Sequence, residues 1–137
     1  MIDAGIEGYL AKAEESIAGA ESELAAGRTN NASSRAYYAA FQAAIVALLA
    51  EGVSVIVERG VTMSHKAVSG RFGGLLINRR KIYPSALGDV LYSLLELRRK
   101  ADYLPVSLGQ RQAAEAAGTE REFLAAVRQR VSSKGRG

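Results

Sequence analysis

The chain has 137 residues, 48 % of them apolar and 23 % charged, which is ordinary for a soluble globular protein and enough for one domain with a substantial core. It contains no cysteine, so disulfides and thiolate metal sites are excluded. A net charge of +4 allows an anionic partner without requiring one.

The opening stretch, MIDAGIEGYLAKAEE, is too acidic and too interrupted for a secretory signal. Residues 3–27 predict a first helix, because Ile6, Leu10, Ala13, Ile17, Ala20 and Leu24 recur at steps of four and three, a narrow apolar seam with acidic flanks. Gly27 suits the position just past its end. Arg28-Thr29-Asn30-Asn31 is rich in residues that turn the chain.

Residues 34–49, SRAYYAAFQAAIVALL, form the element around which the rest is arranged. Asn31, Ser33 or Ser34 can cap it, and Gly52 closes it. Between residues 36 and 50, Gln42 is the one residue that is not Ala, Ile, Val, Leu, Phe or Tyr. At about 100° per residue, Tyr37, Ala40, Phe41, Ala44 and Leu48 share one face, and Arg35, Tyr38, Gln42, Val46 and Leu49 lie nearly opposite. A helix apolar all round is buried all round. Two covers are therefore expected, one from its own domain and one from a second copy or a partner, with Arg35 and Gln42 pointing into the second. The apolar run is shorter than the roughly 20 residues that cross a bilayer, so a cytoplasmic location without membrane contact is expected.

Val53, Val55 and Val57 alternate with Ser54, Ile56 and Glu58, a two-residue period without an obvious pairing partner. An apolar connection across the end of a bundle is predicted for residues 53–63. Ser64 caps a third helix to about Arg80, with Val68, Phe72, Leu75 and Leu76 inward. Gly70, Gly73 and Gly74 each cost it roughly 1 kcal/mol relative to alanine and predict close approach of a neighbouring helix. Pro84 and Ser85 open a fourth helix with Leu87, Leu91, Leu94 and Leu95 as its stripe, running through ELRRKADYL and stopping before Pro105.

Ser107 caps a fifth helix, bent or restarted at Gly118-Thr119, where Thr119 and Glu122 have the spacing of a capping box. Phe123, Leu124, Val127 and Val131 face inward. Residues 132–137, SSKGRG, are expected to be a disordered basic tail. Residues 1–131 then form a single domain, an all-α antiparallel four-helix bundle with an additional C-terminal helix.

His65 is the only histidine. At the start of a helix it is expected to be a packing or capping feature, its imidazolium disfavoured by the helix dipole. No Glu-x-x-His pair, phosphate loop or nucleophile elbow is present, and neither a metal nor a cofactor is expected. Arg35, a guanidinium at the start of an apolar helix, seeks a carboxylate or a phosphate. Asp102 is the candidate carboxylate, with Arg98 four residues before it as a competitor. Tyr38 sits beside Arg35 and Gln42, its hydroxyl available to a nucleotide or to the edge of an interface.

SRAYYAAFQAAIVALLAEG, SHKAVSGRF, LRRKADY and a closing EFLAAV, in that order, resemble the HEPN superfamily of small helical proteins. More closely, they are similar to its prokaryotic branch, whose members pair with small nucleotidyltransferases in toxin–antitoxin-like systems. The resemblance implies a homodimer with the second helix at the two-fold interface. Many members are metal-independent ribonucleases, in which an arginine holds the phosphate and a histidine a few residues later moves the proton. Arg35 matches that arginine, and Ala36 follows it where a polar residue is frequent. Gln42 stands at the histidine position, and glutamine does not titrate.

The resemblance thus implies a dimer that binds RNA or a nucleotide through Arg35, Tyr38, Gln42 and Asp102, or docks a nucleotidyltransferase, without a general base of its own. A ribonuclease using Arg35 with a substitute group is the second reading. A purely structural dimerisation protein is the third, which Arg35 and Gln42 disfavour as poor choices for adhesion alone.

Overall fold

A computed structural model describes residues 4–55 and 64–136. Five α-helices follow one another, α1 (Ala4–Ala25), α2 (Thr29–Ala50), α3 (His65–Arg71), α4 (Ser85–Tyr103) and α5 (Gln110–Arg136). A π-helical segment, Phe72–Arg79, continues α3 without a break. The described residues contain no strand.

The glycines at 27 and 52 act as the sequence predicts. Both have φ of 80°, the left-handed region that glycine enters without cost. In each case two N–H groups fold back on the preceding helix: Gly27 to Leu24 O and Arg28 to Glu23 O, then Gly52 to Leu49 O and Val53 to Leu48 O. Otherwise orphaned carbonyls at the ends of α1 and α2 are satisfied in this way. The start of α2 differs from the prediction. It begins at Thr29, directly after Arg28, and no side chain caps it.

α2 is the centre of the molecule, with α1, α4 and α5 packed around it and α3 touching it. Its fully buried positions include Ala36, Ala40 and Leu48 but also Val46 on the opposite face. The two-sided burial is real, and α1 of the same chain supplies the second cover at Gln42, with the exposed Arg35 side chain lying over Gly19. An all-round apolar helix therefore does not by itself call for a second copy. Periodicity reports that a face is covered, not which element covers it.

Two further expectations change. The C-terminal helix is not an addition to the bundle but one of the helices around α2, and the short third helix is the peripheral one. α5 also runs without a break through Gly118-Thr119. The Thr119 hydroxyl donates to Ala116 O within the helix, so no capping box restarts it. The helix continues to Arg136 across the segment predicted to be disordered. Lys134 in that segment, with Arg130 just before it, bonds the buried carboxylate of Glu51, at 3.1 and 3.0 Å respectively.

Phe72, Tyr83 and Phe123 join three segments of the core, with ring centroids 5.3 Å apart in both the Phe72–Tyr83 and Phe72–Phe123 pairs. The glycine prediction for the third helix is not met: nothing lies within 4 Å of a Cβ built at Gly70, Gly73 or Gly74. Close approaches occur at Gly19, where such an atom would meet Arg35 Cδ at 3.1 Å, and at Gly88, where it would meet Ile77 Cδ1 at 3.1 Å. Of the connection predicted at residues 53–63, Val53 to Val55 has no regular structure and Val55 is buried; residues 56–63 lie outside the described part. No helix among the described residues is long and apolar enough to cross a membrane.

Candidate functional site around His65 and Arg98

The four residues singled out from the sequence do not converge. Gln42 turns toward α1. Oriented so that its nitrogen faces its acceptors, its amide shares two N–H groups among Ser16 Oγ at 2.8 Å, Lys12 O at 3.1 Å and Tyr38 O at 3.2 Å. A half-buried amide whose two donors are taken up in this way is a link between helices, with no donor left for a ligand. Arg35 is exposed and its side chain lies over Gly19 of α1. Asp102 is not its partner. The aspartate accepts a hydrogen bond from Ser34 Oγ at 3.1 Å and lies 3.2 Å from Arg98 Nε, the competing pair that the spacing allowed. Tyr38 remains near Asp102, through Arg98.

A second set of side chains does converge. α2 contributes Tyr37, Tyr38 and Phe41, α3 contributes His65, and α4 contributes Arg98. The His65 ring is stacked on Phe41 at 4.1 Å with 9° between planes. Its Nδ1 is 2.7 Å from the Tyr37 hydroxyl. Tyr38 meets the same imidazole edge-on at 5.8 Å. The guanidinium carbon of Arg98 sits 5.2 Å from the Tyr38 ring centroid and 5.7 Å from that of Tyr37, within range of a cation–π attraction.

Local sequence accounts for each placement. Ser64 caps α3, its hydroxyl accepting from Ala67 N–H at 3.1 Å, which sets His65 on the first helical position. Phe41 lies one helical turn from Tyr37 and Tyr38 on α2, and the adjacent Tyr38 ring folds edge-on against Tyr37 at 5.6 Å. Arg98 lies on α4 four residues before Asp102, and the i,i+4 ion pair together with the Ser34–Asp102 bond fixes it against α2.

The electrostatics follow from this packing. Burial pushes the Tyr37 hydroxyl up to about 12, with Arg98 opposing the shift, so Tyr37 keeps its proton at neutral pH. Burial, and then the nearby Arg98 cation, lower His65 below 6.5, so the imidazole is neutral at pH 7. One of its nitrogens is engaged by Tyr37, and among the described residues the other makes no hydrogen bond. Arg98 Nε is buried and approaches Asp102 out of line for a hydrogen bond. The site opens into a groove of ≈ 620 Å³ whose lining includes His65, Lys66, Ser69, Arg98 and Tyr103. Among the described residues no group of three or more histidine and carboxylate side chains is arranged to hold a metal ion. What the cluster offers is a cation and a neutral imidazole side by side on an aromatic floor, the chemistry of a phosphate-bearing ligand.

The family model for the HEPN domain matches residues 6–130. The chain belongs to the HEPN domain family. A search of curated proteins finds no match to it. In this HEPN domain the histidine beside the arginine comes from α3, not from α2. Sequence reasoning discounted His65 because it stands alone and far from Arg35 along the chain. The available signal was the segment SHKAVSGRF itself, with a helix cap before a single histidine, and the Tyr37–Phe41 pair on α2 ready to take a flat ring.

Proposed function

We propose that this HEPN domain is an RNA- or nucleotide-binding module whose ligand phosphate is gripped by Arg98 beside His65, not by Arg35 beside Gln42. HEPN domains often bind or cleave RNA. The observation that carries the reading is the position of Arg98, over two tyrosine rings and next to a neutral imidazole, at the wall of an open groove. Its test is fluorescence anisotropy with labelled single-stranded RNA at low and moderate salt. Binding should weaken as salt rises, because each phosphate contact releases counterions. Arg98→Ala should reduce it strongly, and Arg35→Ala should not. If Arg98→Ala lowers the melting temperature and leaves affinity intact, the Arg98–Asp102 pair is purely structural and the reading is wrong.

A second reading is favoured by the 2.7 Å contact between Tyr37 and His65. A neutral, oriented imidazole is the acid–base group that Gln42 cannot be. As a metal-independent ribonuclease, the protein would use His65 to accept the proton of a ribose 2′-hydroxyl while that oxygen attacks phosphorus. The 5′-oxygen would leave and take a proton from solvent, and Arg98 would balance the charge on the phosphoryl oxygens. Cleavage of single-stranded RNA in the presence of chelator, abolished in His65→Ala, is the required result. Intact RNA in that assay leaves the binding module as the function.

The resemblance to the branch paired with nucleotidyltransferases supports a docking role as well, in a homodimer or with the transferase as partner. A small nucleotidyltransferase in the adjacent reading frame that co-purifies with the chain is the supporting outcome.

A further inference from the structure

The outward stripe of α4 carries two of the exposed large rings among the described residues. Tyr92, Glu96, Arg99 and Tyr103 follow one another at spacings of four, three and four residues, which puts them on one line of the helix. Tyr92 is 64 % exposed and Tyr103 74 %. Large rings standing this far into water at both ends of one stripe ask for a partner. A second groove of ≈ 700 Å³ runs along the other side of the stripe and shares Tyr92, Arg99 and Tyr103 with the groove at His65. The two grooves thus form one continuous surface on either side of a ridge.

Its charge decides the partner. The linings of the two grooves contribute Lys66, Arg98, Arg99 and Lys100 against the single carboxylate of Glu96, which is held by Arg99 at 3.2 Å. The excess is positive, and aromatic rings alternate with it. A polyanion with flat, unpaired bases fits both features: cations track the backbone and exposed rings take the bases. A duplex keeps its bases stacked inside and presents none to a tyrosine.

Resting on the phosphate reading of Arg98, we propose that the ligand is an unpaired RNA strand whose bases stack on Tyr92 and Tyr103 while its backbone follows Arg98, Arg99 and Lys100. The two rings are 11 residues apart on α4, roughly 16 Å along the helix axis, so they serve different nucleotides of one strand. Glu96 lies between them and holds Arg99 back from the phosphates.

The experiment compares a fluorescein-labelled oligouridylate of about twelve nucleotides with its duplex on oligoadenylate, using the full chain. The single strand should bind at least tenfold more tightly. Tyr92→Ala and Tyr103→Ala should each weaken it about tenfold, the size of one base–aromatic stack, while both phenylalanine variants retain it. Glu96→Gln should tighten binding by freeing Arg99. Equal affinity for duplex, with tyrosine variants silent and Arg98→Ala still weakening both, overturns the stacking proposal and leaves the phosphate reading standing. No effect of Arg98→Ala removes both. If the tyrosine variants convert a dimer to a monomer in light scattering and leave RNA affinity unchanged, the stripe is an interface between copies and the proposal is wrong.

Discussion

On the side of α2 that faces α1 and α5, cations are bonded to carboxylates of their own chain. Arg121 binds Glu21 and Glu14, Arg128 binds Glu14, and Arg130 with Lys134 binds Glu51. On the side that faces α3 and α4, Arg98 has one aspartate and otherwise sits over tyrosine rings beside an imidazole. Arg35 belongs to the first side, although it is in none of these ion pairs, and Arg98 to the second. A guanidinium exposed over a glycine, as Arg35 is at Gly19, is already well hydrated. One set on aromatic rings at the wall of a groove retains donors for an incoming phosphate. The lesson is that the surroundings, not the residue type or its place in a motif, decide which arginine is available.

The largest test lies beneath the ion-paired side. Glu120 on α5 is fully buried and neither carboxylate oxygen has a hydrogen-bond partner. Burial raises it to about 8; Arg121 opposes the shift, and Glu14 and Glu21 add to it. Glu51 is nearly as buried, yet Arg130 and Lys134 outweigh its desolvation and lower it. Between pH 4.5 and 8 folded Glu120 holds a proton that the unfolded chain has lost. Its contribution to stability is therefore complete below 4.5, declines as pH rises, and is gone above 8. Denaturation at pH 5 and pH 9 should show a loss on the order of a few kcal/mol from this group, and Glu120→Gln should flatten the slope.

Next in size is the contrast between the two arginines. Arg98→Ala should weaken RNA binding roughly ten- to a hundredfold, the worth of a charged hydrogen bond, and Arg35→Ala less than about twofold. The same Arg98 variant should raise the His65 pKa toward 6.5 by removing the nearby cation. Proton NMR of the only histidine reads this directly. A smaller effect belongs to Tyr37→Phe, which removes the hydroxyl from His65 Nδ1 and should cost about 1 kcal/mol in urea denaturation. Smallest of all, Arg121→Ala breaks exposed pairs with Glu14 and Glu21 and should cost less than about 1 kcal/mol. A loss as large as that of a core truncation would mean the ion-paired side is more than a solvated seam.

The repeats of apolar residues located all five helices, and Gly27 and Gly52 marked two of their ends. The core was legible too: Ile17, Leu48, Phe72, Leu91, Phe123 and Val127, taken from periodicity, are all buried. The candidate site was not. Asp102 and Tyr38 do lie at its edge, but Arg35 and Gln42 turn to α1, and His65 and Arg98 were read as local features. These residues are separated by 24 or more positions wherever they meet α2, the nearest along the chain being the Phe41–His65 stack.

By itself, then, the sequence determined which residues leave water and which helices they form, because burial and the helical repeat are written in short-range spacing. Only the tertiary structure decided that α1 covers the far side of α2, that α3 delivers an imidazole to Tyr37, and that Arg98 rests on two tyrosines. Those facts depend on which helix packs against which flank. That choice is made by the fit of whole surfaces, to which no single stretch of chain holds the key.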